Sequence, residues 1–287
     1  MQAVQLAARL LSEYDDFLVI CMLGRTDDDR RMFDRYKGKA QDIALKNGVP
    51  AMKTSVEFVP MPASFVSREH GLIDAFVYLA NNTGNGSAVL VMGAAGKGDE
   101  DKRGRRPDGQ PPMGSLAKAS LARVKVPVAL VKAGPMIDTD SRIKRVGRDK
   151  TPGLNFMVCL DGSRVARSAF DQALKLIRPG DSLYGYHVRT QASSKSGEIE
   201  SEFGAALDKF GAAGRYGAMA MIGEERTRSN VAAQIEEFID RKAVDVVVMG
   251  SVELSNTTKG HHLGSVAMAL TKATPAHVVV VKQFAHT

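Results

Sequence analysis

A duplicated segment constrains the fold of this chain more than any other feature. Residues 87–93 read SAVLVMG and residues 244–250 read VDVVVMG. Each is followed by a Gly-Ser pair, at Gly114-Ser115 and Gly264-Ser265, and then, after sixteen more residues, by a lysine that ends an apolar run. The copies lie about 150 residues apart, so the repeating unit is a whole domain and not a short solenoid repeat.

Unbroken apolar runs alternate with helical patterns throughout the second copy. Its strands are predicted at LNFMVCL, SLYGYHV, AMAMIG, DVVVMG and HVVVVK. Strands that are apolar on both faces indicate a parallel sheet covered by helices on both sides. Because crossovers in such sheets are right-handed, the predicted fold is α/β and Rossmann-like, with a doubly wound sheet. The predicted units are residues 1–132 and 154–287, joined by a basic linker at 133–153.

The first copy follows the same plan without its first strand. It opens on a helix from Gln2 to Leu11 and continues with FLVICML, KTSVEFV, AVLVMG and PVALVK, so nothing corresponds to LNFMVCL. Buried backbone groups without partners are costly. We therefore expect FLVICML and AVLVMG to close directly onto each other or to borrow a strand from elsewhere in the chain. An upstream strand in the natural protein is the remaining alternative.

The positive charge is concentrated in two short stretches. Residues 1–150 carry 24 Lys and Arg against 18 Asp and Glu, whereas the remainder carries 15 against 14. The excess lies at 102–106 and 142–150, which contain no aromatic residue to stack on a base, so we predict a solvated loop and linker and no specific nucleic-acid site. An anionic partner is the alternative. No apolar run approaches ~18 residues, and a cytoplasmic protein without membrane segments is expected.

The reactive residue types form no recognisable catalytic set. Cys21 and Cys159 each lie in an apolar strand and are predicted to be buried, reduced thiols. His261 and His262 are adjacent, which does not suit one metal ion, although with Thr257, Thr258 and Lys259 they could instead form a flexible phosphate clamp. No Ser-His-Asp, Cys-His or paired-carboxylate arrangement is found, so neither an enzyme nor a metal site is predicted.

The segment from DVVVMGS through Gly264-Ser265 to HVVVVK resembles the C-terminal signature of the universal stress protein family: Gly, two residues, Gly, nine residues, Gly, then Ser or Thr. The LDGS at residues 160–163 resembles that family's opening motif. The resemblance implies a sheet ordered 3-2-1-4-5, of the adenine nucleotide alpha hydrolase-like type. It also implies a non-catalytic stress-response regulator that binds ATP or another adenine nucleotide, with or without Mg²⁺.

The nucleotide site is predicted where the winding of the second sheet reverses. Open α/β sheets bind ligands outside the carboxyl ends of the strands at this switch point. A helix N-terminus there attracts phosphate, and Ser265 could either donate to a phosphate oxygen or cap the helix. We expect Gly250→Val to abolish binding while leaving the fold intact. The predicted nucleotide-binding residues are Leu160, Asp161, Val188, Met249, Gly250, Gly264, Ser265 and Val266.

Both copies depart from the family pattern. In the second, Glu253 replaces a glycine and would repel phosphate unless a cation intervenes, and ten residues instead of nine precede Gly264. A weaker second site is predicted at Gly93, Gly96, Gly114 and Ser115. There the loop is longer and the first strand is missing, so we expect no nucleotide seated within residues 1–132. These departures keep open a second function, a structural or protein-interaction module of the same fold without nucleotide.

The final strands PVALVK and HVVVVK are apolar edge strands that need a partner. The resemblance implies dimerisation along this strand, so the tandem chain can satisfy the contact internally as a pseudo-dimer. A further homodimer of tandem chains is left open.

Overall fold

The computed structural model describes residues 2–11, 16–24, 26–66, 70–82, 88–94, 113–132, 153–190, 196–212, 220–226, 231–252 and 263–283. Its strands are β1 (Leu18–Gly24), β2 (Thr54–Pro60), β3 (Leu90–Gly93), β4 (Val128–Val131), β5 (Asn155–Cys159), β6 (Ser182–Thr190), β7 (Ala220–Arg226), β8 (Val246–Val252) and β9 (His277–Gln283). Its helices are α1 (Gln2–Leu10), α2 (Asp27–Lys46), α3 (Ala63–Val66), α4 (Gly71–Asn82), α5 (Ser115–Arg123), α6 (Arg164–Leu176), α7 (Ser196–Ala212), α8 (Val231–Lys242) and α9 (Ser265–Ala273). A 3-10 turn spans Ala51–Lys53.

The second unit has the predicted strand order. Its strands lie as β7-β6-β5-β8-β9 and pair in parallel, which is the order 3-2-1-4-5. The central strand β5 has fully buried side chains at Phe156, Met157 and Val158, as an apolar run covered on both faces requires. The α/β fold class is therefore confirmed.

The first unit is divided between two sheets. β1 and β2 form a separate parallel pair, while β3 and β4 extend the second unit's sheet into seven strands. Among the described residues β1 pairs only with β2, so the expectation that FLVICML closes onto AVLVMG is wrong, and no borrowed strand is seen there. The reason is that α1 lies against β1 as well as β3 and β4, so the two pairs of strands are held by helix packing instead of by a shared ladder.

The two units join through their last strands. β4 and β9 pair antiparallel in the register Val128↔Val280, Ala129↔Val279 and Leu130↔Val278. Since positions 128–130 and 278–280 correspond in the repeat, the pairing is symmetric about Ala129 and Val279. This is the pairing that the two apolar final strands predict.

The lysine that ends each repeat forms hydrogen bonds across the interface between the two units. Lys282 Nζ donates to the carbonyl oxygens of Ser120 at 2.8 Å and Val124 at 2.7 Å, at the end of α5 in the first unit. Lys132 Nζ reciprocally donates to the carbonyl oxygen of Thr271 in the last turn of α9. Each ammonium group thus satisfies exposed carbonyls at the negative end of the other unit's helix.

Helix α1 is also tied to the second unit. Arg178 donates from Nε to the carbonyl oxygen of Leu11 at 2.7 Å and from Nη2 to that of Ala8 at 2.7 Å, which caps the C-terminal end of α1. Arg9 pairs with the buried carboxylate of Asp181 at 2.5 Å. Asp181 in turn accepts from the backbone N–H of Leu154 at 2.7 Å, so the same carboxylate fixes the start of β5.

The two cysteines differ in exposure, contrary to the expectation that both are buried. Cys21 is exposed because it lies on the uncovered face of the two-stranded sheet, next to Glu57. Cys159 packs against the main core. Partial desolvation by the surrounding residues and, second, Glu57 raise the pKa of Cys21, whereas burial and, second, Asp161 raise the pKa of Cys159 to about 12.

We therefore expect a maleimide at pH 8 to modify one thiol per native chain, at Cys21. The thiolate is the reactive form, and the half-buried Cys159, with a pKa of about 12, supplies almost none. Intact mass should show one adduct in buffer and two in denaturant. Cys21→Ser should show none in buffer, and native labelling of that variant would contradict the protection of Cys159.

Candidate functional site

The carboxyl ends of the second unit's strands converge on the start of α6. A Cβ built on Gly250 in β8 would stand 2.7 Å from the carbonyl carbon of Val165, 2.8 Å from its oxygen and 3.0 Å from the backbone nitrogen of Ala166. Glycine is thus required at 250 for the close approach of strand and helix. The expectation that Gly250→Val leaves the fold intact is wrong, because any side chain there meets backbone.

The LDGS turn closes β5 and opens α6. Gly162 has φ +77°, in the left-handed region that favours glycine, and a Cβ there would lie 2.8 Å from Ile199 Cδ1. Asp161 is exposed, and its Oδ1 accepts from the backbone N–H of Ser163 at 2.9 Å. The Ser163 hydroxyl oxygen caps α6 by accepting from Ala166 N–H at 3.1 Å. The turn therefore presents a carboxylate to solvent at the switch point.

A buried histidine, which the sequence analysis did not single out, holds this turn in place. His187 Nδ1 lies 2.8 Å from the carbonyl oxygen of Leu160, and Nε2 lies 3.0 Å from Ser196 Oγ at the start of α7. Because a carbonyl only accepts, Nδ1 carries the proton and donates. His187 thus links the ends of β5 and β6 to α7. Its signal in the sequence is one histidine in the apolar run SLYGYHV.

The N-cap residue of α9 has no side chain. It is Gly264, and it makes no side-chain capping hydrogen bond with the first turn. Ser265 is the first helical residue, with an exposed side chain, so the capping alternative for Ser265 does not hold. Gly264 N–H donates to Ser251 Oγ at 3.4 Å, which ties the helix start to the end of β8. A Cβ on Gly264 would meet nothing within 4 Å.

The other predicted site residues are mostly enclosed. Leu160, Val188 and Met249 are buried in the core, and Val266 is half-buried against it. The backbone of Leu160 is already engaged, since its N–H donates to the carbonyl oxygen of Tyr186 at 2.9 Å and its own oxygen accepts from His187. The structure therefore brings Asp161, Gly250 and Gly264 to one edge. Of the nucleotide-binding residues predicted in the second unit, all of which the structure describes, Asp161 and Ser265 are the exposed ones.

The first unit presents a comparable helix start. Gly114 is the N-cap of α5, again without a side-chain cap, and its N–H donates to the carbonyl oxygen of Ala94 at 2.9 Å. Gly93 and Ser115 are exposed, and Gly114 is buried. Several residues from the sequence predictions lie outside the described part of the chain: Gly96, the stretches 102–106 and 142–150, Glu253, Thr257, Thr258, Lys259, His261 and His262.

The described residues contain neither a metal-binding cluster nor a membrane-spanning helix. No cluster of three or more His, Cys, Asp or Glu side chains that could hold a metal ion occurs among them. None of their helices is both long and apolar enough to cross a membrane.

The fold and the strand-end site define a Rossmann-like α/β domain. Residues 154–282 match the sequence model of the universal stress protein family. This part of the chain belongs to that family. Among curated proteins, no sequence matches the chain.

Two of the solved structures that resemble this chain share its fold over most of its length. A universal stress protein from Archaeoglobus fulgidus DSM 4304 is similar with a TM-score of 0.60 and 15% identity, covering 99% of this chain and 94% of that one. A functionally unknown protein from Pseudomonas aeruginosa PAO1 has a TM-score of 0.51 and 14% identity, covering 93% and 81%. A universal stress protein family protein from Arabidopsis thaliana, solved with AMP bound, has a TM-score of 0.30 and 18% identity, covering 46% and 93%.

Proposed function

We propose that the second unit binds an adenine nucleotide at the carboxyl ends of β5 and β8, and that the protein is a cytoplasmic, non-catalytic stress regulator. The observation that carries the proposal is the N-terminus of α9, in a domain of the universal stress protein family. Its N-cap residue Gly264 makes no side-chain hydrogen bond, and no described atom would lie within 4 Å of a Cβ added there. A helix N-terminus offers backbone N–H donors and a positive dipole end to phosphate oxygens.

The described residues suggest which side chains would contact the phosphate and the ribose of a nucleotide. Ser265, exposed in the first turn of α9, would donate its hydroxyl to a phosphate oxygen. Asp161, exposed 2.9 Å from the Ser163 N–H, would accept from the hydroxyls of the ribose. Glu253 directly follows β8 in the chain, and we expect Mg²⁺ to offset its charge when ATP is the ligand.

Gly264→Asp tests this assignment with opposite effects on binding and stability. A carboxylate at the N-cap accepts from the helix N–H groups and should leave the melting temperature unchanged or slightly higher, since Asp caps better than Gly by a few tenths of a kcal/mol. The same charge would repel phosphate and weaken binding at least about tenfold. Titration calorimetry with ATP and with AMP, with and without Mg²⁺, measures the effect.

Gly264→Asn is the matched control. Asparagine caps the helix in the same way without a negative charge, and a side chain fits because nothing lies within 4 Å of the added Cβ. Binding by Gly264→Asn should stay within a few-fold of the parent. Equal affinity of the parent and Gly264→Asp, or no nucleotide binding by the parent and none retained in native mass spectrometry, would overturn the proposal.

A second function is favoured by a different observation. The exposed large hydrophobic side chains of the described residues all fall between Phe17 and Tyr78 in the first unit, Met52 being 87% exposed. Concentrated exposed apolar surface is typical of protein interaction sites. The first unit would then act as an interaction module, whether or not the second unit carries a nucleotide.

The two units would act as an internal pseudo-dimer. The β4–β9 register and the reciprocal lysines support this arrangement, because they occupy the edge at which a second copy would otherwise pair.

A further inference from the structure

The first unit leaves two strand edges without a partner among the described residues. In the second unit, β6 and β8 both pair in parallel with β5, which lies between them. The corresponding strands of the first unit, β1 and β3, pair only with β2 and β4, respectively, in the described part of the chain. Each therefore presents one row of backbone N–H and C=O groups on the side where β5 lies in the repeat.

The burial of these strands shows the same difference. The motif VMG occurs in both β3 and β8. In β8, Val248 is buried and Gly250 is half-buried, whereas in β3 the corresponding Val91 is half-buried and Gly93 is exposed; Met92 and Met249 are both buried. In β1, Val19 is 46% exposed although it lies in an apolar run. The strands β1 and β3 thus have sequences typical of central strands but lie at the edges of their sheets.

Helix α1 lies beneath both edges. Leu6 and Leu10 are buried in the cluster that includes β3 and β4, and Ala8 is buried against Leu18 of β1. In the second unit, α6 lies correspondingly against β5, β8 and β9. An apolar helix surface therefore already backs the position between β1 and β3.

We propose that the position between β1 and β3 accepts one parallel β-strand from a partner polypeptide. The strand would continue the established sheet beyond β3 and join it to the β1–β2 pair. The repeat specifies its chemistry: β5 is five residues long, contains no proline, and buries three consecutive apolar side chains at Phe156, Met157 and Val158. The partner segment is thus extended, apolar at its centre and recognised through main-chain hydrogen bonds, as in β-augmentation.

A peptide with the sequence of residues 153–161, extended by two lysines for solubility, is the probe. It is added to the full chain, and hydrogen exchange is followed by mass spectrometry. In the free protein, amides of residues 18–24 and 90–93 should exchange about 100-fold faster than those of 155–159 and 246–250, as expected for unpaired edges. The peptide should slow amide exchange at least about tenfold in residues 18–24 and also in residues 90–93. It should leave the exchange of residues 54–60 and 220–226 unchanged.

A peptide with proline at the position of Met157 is the control, because proline removes a ladder donor and cannot lie in a central strand. It should bind at least about tenfold more weakly by fluorescence anisotropy and give no protection. The proposal is overturned if the first peptide protects neither edge or only one, or if the proline peptide acts equally. It is also overturned if the free chain already protects residues 18–24 and 90–93 as strongly as its central strands. The Gly264 variants test nucleotide binding in the second unit, so their outcome does not depend on whether the first unit accepts a strand.

Discussion

Alanine at position 250 is expected to lower the free energy of unfolding of the second unit by about 3 kcal/mol, and valine by more. The added Cβ would stand 2.7 Å from the carbonyl carbon of Val165. That atom belongs to the backbone at the start of α6, so it cannot turn away as a flexible side chain can. Helix and strand would have to separate, which disturbs the fully buried contacts of Val247 and Val248. Urea unfolding at pH 7, followed by circular dichroism, measures the change.

Gly264→Ser is the matched control for Gly250→Ala. Both glycines were predicted from the same nucleotide-binding pattern, but a Cβ at Gly264 meets nothing within 4 Å, and serine is a good N-cap. Its free energy of unfolding should stay within about 0.5 kcal/mol of the parent. If Gly250→Ala were equally neutral, the close approach of β8 and α6 would be wrong.

The glycines of the two family motifs therefore have different physical roles. Gly250 permits a strand and a helix to touch, Gly162 supplies a left-handed turn, and Gly264 leaves space before a helix. Loss of nucleotide binding in a Gly250 variant would not separate ligand contact from damage to the fold. For this reason the binding test is placed at Gly264.

The repeat was sufficient to predict the architecture of the second unit. Each strand contains an apolar run, and α6 has a start signal in its N-cap residue Ser163. These signals are local and agree with one another, so strand order and fold class follow once parallel pairing is recognised.

Features that depend on a distant partner could not be predicted in this way. The sequence of β1 resembles a central strand, but Cys21 lies on an uncovered face of the two-stranded sheet and is exposed. The lysines at 132 and 282 were visible as part of the repeat, but their role depends on the other unit's helix end. The orientation of Asp161 could not be predicted for the same reason. It depends on the hydrogen bond to Ser163 N–H and on the contact between His187 and Leu160, which fix the turn.

The interface between the units also places a histidine where its protonation should oppose folding. His277 Nδ1 accepts a hydrogen bond from the backbone N–H of Lys132 at 3.3 Å, and the side chain is buried. Nδ1 can accept only while it is unprotonated. Burial and, second, the positive charge of Lys132 lower the pKa of His277 from 6.5 to about 4.

The free energy of unfolding should therefore fall by about 3 kcal/mol as the pH is lowered from about 7 to about 4. Between these values the unfolded chain binds a proton at His277 and the folded chain does not, so acid favours the unfolded state. The contribution is complete above the unfolded pKa of about 6.5 and is lost as the pH falls toward the folded pKa. Urea unfolding at half-unit pH intervals measures it.

His277→Asn is the matched variant, because its side-chain oxygen can replace Nδ1 as the acceptor for Lys132 N–H but does not titrate. Carboxylates also titrate near pH 4, so the informative quantity is the difference between the two proteins at each pH. We expect the variant to lose less stability than the parent between pH 6.5 and pH 4, with the two curves parallel above pH 7. Curves that stay parallel down to pH 4 would show that His277 is not held neutral at the junction of β4 and β9.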